Sequence, residues 1–216
     1  MTNKALPRAA TTIAMALAAG MLTACGEEEV DLPEPAPPPT SVAAPATPDL
    51  DLTAEEREAV ETAQEIFETF VANYQQILID GERAESTDFG RLGPFGGLLA
   101  IGTWTEVDDN FQNGRRAQGA LSWSLVDVEV DLDNVLASSG EHMPVVRLRY
   151  CLDATDWRFV DTESGQLTEP STERVLAEPG LRHLATIEFF YFDPIPDGEN
   201  PEWWLEKWEN EEDQQC

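Results

Sequence analysis

Residues 121–132 read Leu-Ser-Trp-Ser-Leu-Val-Asp-Val-Glu-Val-Asp-Leu. Leu121, Trp123 and Leu125 alternate with Ser122 and Ser124; then Val126, Val128, Val130 and Leu132 alternate with Asp127, Glu129 and Asp131. Successive side chains on a strand point to opposite faces, so this is a strand with one apolar and one polar side. The apolar set changes parity between Leu125 and Val126. A strand keeps one face through such a slip only if an extra residue is inserted, so the pattern predicts a β-bulge and a sharp bend at that point.

Downstream, a second strand carries Val146, Leu148, Tyr150 and Leu152 on one face and Val145, Arg147, Arg149 and Cys151 on the other. Asp161-Thr162-Glu163-Ser164-Gly165 reads as a turn joining residues 157–161 to 166–169. A third strand is expected over residues 181–192, between Pro179-Gly180 and Pro194, and a fourth over 203–208. In the fourth, alternation places Trp204 and Trp208 on one face and Trp203 on the other.

Upstream the period is helical. Thr53-Ala54-Glu55-Glu56 is a capping box, and Val60, Ala63, Ile66, Phe67, Phe70, Val71, Tyr74, Ile77 and Leu78 form one stripe at steps of three and four. Asp80-Gly81 stops it. Between residues 82 and 114, Leu92, Phe95, Leu98, Leu99, Ile101 and Trp104 suggest one or two short helices, interrupted at Gly93-Pro94 and Gly96-Gly97. Helices first and strands afterwards predict an α+β domain over residues 53–216, with N-terminal helices packed on a bent antiparallel sheet of about four long strands.

The 216 residues suit one domain with extensions. Acidic residues number 42 against 13 Lys and Arg, a formal charge of −29. Such a chain repels nucleic-acid phosphates and does not adsorb to anionic lipid through charge. Its first 24 residues have the form of a signal peptide: Lys4 and Arg8, then an almost unbroken apolar run from Ala9 to Leu22. Leu22-Thr23-Ala24-Cys25 resembles a bacterial lipobox, which implies acylation of Cys25 and cleavage before it. The mature chain would keep 11 basic and 42 acidic residues, a formal charge of −31. Residues 25–52 then read as the acylated Cys followed by an acidic, Pro-rich tether (Pro33, Pro35, Pro37, Pro38, Pro39, Pro45, Pro48), extended and solvated. The expected partner of this end is the bilayer, at the extracytoplasmic face of the cell membrane. A diacylated Cys supplies the two chains that stable anchoring needs.

Val145-Val146-Arg147-Leu148-Arg149-Tyr150-Cys151-Leu152-Asp153, the polar hairpin with Asp161 and Gly165, the later Trp-rich strand and the terminal Cys together resemble the NTF2-like (cystatin-like, SnoaL-type) domains of small actinobacterial lipoproteins and secreted proteins. The resemblance spans about residues 55–216 and implies a cone of helices and bent sheet. That fold hosts isomerases, dehydratases and non-catalytic binding proteins alike.

With Cys25 assigned to lipid, Cys151 and Cys216 remain as a pair in an oxidising compartment, and a disulfide between them is expected. The alternative is a reactive thiol at Cys151, for which no neighbouring His pattern exists. His142 and His183 are the only histidines. No metal-ligand spacing, P-loop, dinucleotide fingerprint or Gly-x-Ser-x-Gly elbow occurs, so no cofactor and no metal are expected. Asp153, Asp156, Asp161 and Glu163 offer hard oxygens but lack the order of a calcium loop, and read as turn and surface acids. Proton-transfer enzymes of the resembled family place an Asp or His in the mouth of the cone, and Asp127 or His183 could stand there. Trp123, Tyr150, Trp204 and Trp208 are the candidate binding residues. The expected role is non-catalytic binding of a small apolar ligand or an envelope protein. The alternatives are a homodimerising module and a SnoaL-type enzyme.

Overall fold

In a computed structural model the described residues are 51–170, 178–192, 202–211 and 216. The leader and tether readings of residues 1–50, Cys25 included, lie outside them. The domain opens with helix α1 (Ala54–Asp80). Its capping box is formed: the Thr53 hydroxyl accepts from the Glu56 amide at 3.2 Å, and the Thr53 amide donates back to Glu56 Oε2 at 2.7 Å. Gly81 ends the helix in the left-handed conformation. Two short 3₁₀ turns, Ala84–Ser86 and Phe89–Leu92, lead to α2 (Gly97–Gln112).

Four long strands form one antiparallel sheet in the order β2 (Ser122–Asp131), β3 (Val145–Asp153), β6 (Arg182–Phe192), β7 (Glu202–Glu211). A second, smaller sheet has β4 (Arg158–Asp161) between β1 (Arg115–Gln118) and β5 (Leu167–Thr168). Two helices packed on antiparallel sheets make the fold α+β, as the element order requires. The expected single sheet is corrected to two. The turn at Asp161 does join the two segments read from the sequence, but β5 pairs with β4 and β4 with β1, instead of extending the long sheet. Gly119 sits at φ +91° where β1 turns toward β2. A Cβ there would collide with the Asp156 carbonyl oxygen, so the small sheet closes on this turn only with glycine.

The inserted residue in β2 is Val126. Leu125 faces Tyr150 and Asp127 faces Arg149, leaving Val126 unpaired between them. β7 has an equivalent irregularity that the alternation did not reveal. Leu205 faces Phe189 and Lys207 faces Glu188, so Glu206 is the extra residue. Both outer strands are therefore bulged, which bends and further twists the sheet.

One apolar core runs through the domain. From α1 it takes Val60, Ala63, Phe67, Phe70, Tyr74 and Ile77. From the sheet it takes Val146, Leu148, Tyr150 and Leu152 on β3, Ala185, Ile187 and Phe189 on β6, and Leu205 on β7. Trp157 and Phe159 attach the small sheet to the same cluster. Each fully buried large side chain contributes ~1.5–3 kcal/mol, so the α1 stripe accounts for much of the packing energy.

Candidate functional site

The space between α1 and the long sheet is occupied by a ring cluster. Phe67 stacks on Tyr150 with centroids 4.0 Å apart and planes 8° from parallel. Trp123 meets its edge at 5.7 Å and Trp208 lies at 5.6 Å. Phe70 adds contacts to Tyr74, Phe95 and Trp208. Three of the four candidate binding residues thus converge on one phenylalanine. Tyr150 is buried, while Trp123 and Trp208 are half-buried and form the rim. Burial, reinforced by the nearby charge of Glu68, pushes the Tyr150 phenol well above its ordinary range, so it stays a neutral donor near Gln64.

Trp204 is elsewhere. The shared face expected for Trp204 and Trp208 is corrected: the extra residue Glu206 reverses the parity between them. Trp208 pairs with Ile187 and points to the core with Trp203. Trp204 pairs with Phe190 on the outer face and lies 6.0 Å from Phe192.

Asp127 is also on the outer face, exposed and opposite Arg149, and not on the core side of the sheet. The Val126 bulge puts it there. His183 is on the core face and buried; Asn210 Oδ1 lies 3.3 Å from its Nε2, and its Nδ1 is buried without a partner. The same Asn210 oxygen accepts from Trp208 Nε1 at 2.8 Å. His142 is exposed, with Nε2 2.8 Å from the Leu132 carbonyl oxygen.

The acids considered for calcium are engaged in their own turns. Asp153 Oδ1 accepts from the Thr155 hydroxyl and amide at 2.7 and 3.1 Å; Asp161 Oδ1 accepts from the Ser164 amide and hydroxyl, both at 2.7 Å. These bonds hold both carboxyls below the usual range. Asp156 and Glu163 are exposed. Among the described residues no group of three or more His, Cys, Asp or Glu could hold a metal.

The outer face of the long sheet is a charge ladder. Arg147 bridges Glu129 at 2.8 Å and Glu188 at 3.2 Å, and Lys207 bridges Glu188 at 3.7 Å and Glu209 at 2.8 Å. Arg149 grips Glu211 through Nε and Nη2 at 3.1 and 2.6 Å, and Thr186 donates to the same carboxylate at 2.9 Å. In the same face Cys151 is joined to Cys216, with Cα atoms 5.8 Å apart.

One buried polar cluster escaped the sequence reading. Glu106 of α2, 2% exposed, accepts from the Tyr74 hydroxyl at 2.9 Å. Burial, then the Glu106 charge, raises the Tyr74 phenol well above its ordinary range. The available signal was Tyr74 itself, since a tyrosine inside a helix stripe needs a partner for its hydroxyl. The apolar residues of α2 divide between core and solvent: Leu98, Ile101 and Trp104 are 82, 63 and 44% exposed.

No protein-family model and no curated protein matches the chain. Among solved structures it is similar to the crystal structure of the intermembrane space region of the chloroplast protein ARC6, at 14% identity and a TM-score of 0.36, covering 72% of this chain and 96% of that one. No helix among the described residues is long and apolar enough to cross a membrane.

Proposed function

We propose that this is a lipid-anchored protein of the cell envelope, held at Cys25, whose NTF2-like domain binds another protein and catalyses nothing. The observation that supports this reading best is the Phe67 cluster. Where a small-molecule site would open, a stacked Phe67–Tyr150 pair flanked by Trp123 and Trp208 stands in contact instead. Apolar surface is presented outward on α2 by Leu98, Ile101 and Trp104. Contiguous exposed apolar side chains on a helix are a common mark of a protein contact.

The test has two arms. Mass analysis of exported protein should find a diacylglyceryl modification on an N-terminal Cys25, lost in Cys25→Ser along with membrane retention. Retention and an unmodified thiol at that position would overturn the anchor. A photoreactive residue at Ile101 should crosslink to a discrete protein in intact cells; no protein adduct from correctly anchored material would overturn binding through the α2 surface. A second reading, proton transfer of the SnoaL type, draws on the buried His183 and its unpartnered Nδ1. It requires a small molecule to reach that ring past Trp208, and His183→Gln to abolish turnover.

A further inference from the structure

The two edges of the long sheet are finished differently. At the β7 edge the segment before α2 covers the strand: the Gly96 amide donates to the Leu205 carbonyl at 3.0 Å, and the Leu205 amide donates to the Pro94 carbonyl at 3.1 Å. The β2 edge, ten residues long, has no such cover among the described residues. The Val128 amide donates at 2.9 Å to Asp127 Oδ1, not to β3. In an antiparallel strand the amide and carbonyl of one residue point the same way, and alternate residues repeat that direction. Val128 and Val130 therefore direct both groups away from β3. The series ends at Leu132, whose carbonyl meets His142.

The faces flanking this edge state what would fit it. Leu125, Val128 and Val130 are only partly covered, whereas Tyr150, Leu148 and Val146, their partners on β3, are at most 2% exposed. The apolar face thus stops one strand short of being covered. On the other face Asp127, Glu129 and Asp131 stand exposed in a row, and Asp131 has no ion pair among the described residues. A second copy of β2 pairing antiparallel here would set acidic rows against each other at cross-strand distance, ~5 Å.

We infer that the β2 edge accepts an extended segment of another protein as a fifth strand, one in which apolar residues alternate with Lys or Arg. Its apolar side would extend the cover over Val128 and Val130. Its basic side would continue the ladder that Arg147 and Arg149 begin. The acidic surface steers such a partner in and repels a second copy. The inference takes its biological sense from the protein-binding reading above, but the edge is tested separately.

The probe is the peptide acetyl-Lys-Val-Lys-Val-Lys-Val-Lys-amide against the full-length protein, compared with a block isomer of the same composition (four Lys, then three Val). The alternating peptide should bind about tenfold tighter and slow amide exchange at Val130. Asp131→Lys should weaken it about tenfold. Val130→Pro removes a donor that points away from the ladder, which an edge strand tolerates, and should abolish binding without unfolding. Equal binding of the two isomers would mean charge attraction alone and overturn the inference. So would exchange protection away from β2, or self-association through β2 at neutral pH. Failure of the alternating peptide while the Ile101 crosslink stands would sink the edge alone; binding of the peptide without that crosslink would sink the helix-surface reading alone.

Discussion

Phe67 is the side chain whose loss the domain should feel most. It is fully buried and touches Tyr150, Trp123 and Trp208 at once. Three surrounding rings on separate strands cannot all collapse into the space it leaves, so Phe67→Ala should cost ~3–5 kcal/mol, read as a lower urea midpoint. Two glutamates of β7 should respond to pH with opposite signs. Glu211 is held below its ordinary range chiefly by its bonds from Arg149. Its stabilisation is therefore present above the ordinary glutamate value, ~4.3, and disappears as pH falls through the lowered one. Glu206 is raised by burial, so the domain gives up stability as pH rises from the ordinary value through the raised one. Thermal melts should show Glu211→Gln less stable than wild type near neutrality and equal to it in acid. Glu206→Gln should gain on wild type as pH rises from the ordinary glutamate value through the raised one.

At the scale of elements, the bulges explain what alternation can and cannot reveal. Deleting Val126 leaves Leu125 opposite Tyr150 and Asp127 opposite Arg149, so the pairing survives while the bend relaxes. The deletion should fold with unchanged cross-strand contacts by NMR, at a cost of ~1–2 kcal/mol. This bulge was legible because apolar residues mark the face on both sides of it. The same signal exists in β7, where Trp203, Leu205 and Trp208 are spaced two and then three. It was hidden because Trp204 is as apolar as its neighbours. Arg115-Arg116-Ala117-Gln118 gave no strand signal, since only Ala117 is buried and pairing with β4 imposes the conformation. Gly96 and Gly97, read as an interruption, mark the start of α2. The Glu206 carboxylate lies over both, where any Cβ would collide with it. The exposed Leu98 and Ile101 blurred the amphipathic pattern that would have made this helix plain. Glu106 was missed for a related reason: a single acid in a helix reads as solvent-facing, and only its partner Tyr74 shows otherwise.

For the whole molecule, the α+β architecture followed from periodicity. The division into two sheets did not, because the small sheet holds few apolar residues and depends on close approach at Gly119. Most of its charge is surface acid, so strand-to-strand attachment on the outer face depends on a few cations and one covalent link. Cys151–Cys216 closes a separation of 65 residues. In the chain-entropy account such a link is worth ~4 kcal/mol, and Cys216→Ser or reduction should lower the denaturation midpoint accordingly.

That link also decides how the protein would respond to being pulled. β3 lies inside the sheet and the last residue of the chain is fastened to it, so β6 and β7 belong to a closed covalent ring. Tension applied between the two ends of the oxidised chain bypasses everything from Cys151 onward and can straighten only what precedes it. In an optical trap the released contour should be about 220–230 Å shorter oxidised than reduced. A pull on the N-terminal side would strip away α1, β2 and the part of β3 before Cys151, Arg147 and Arg149 included, while β6 and β7 stayed inside the covalent ring.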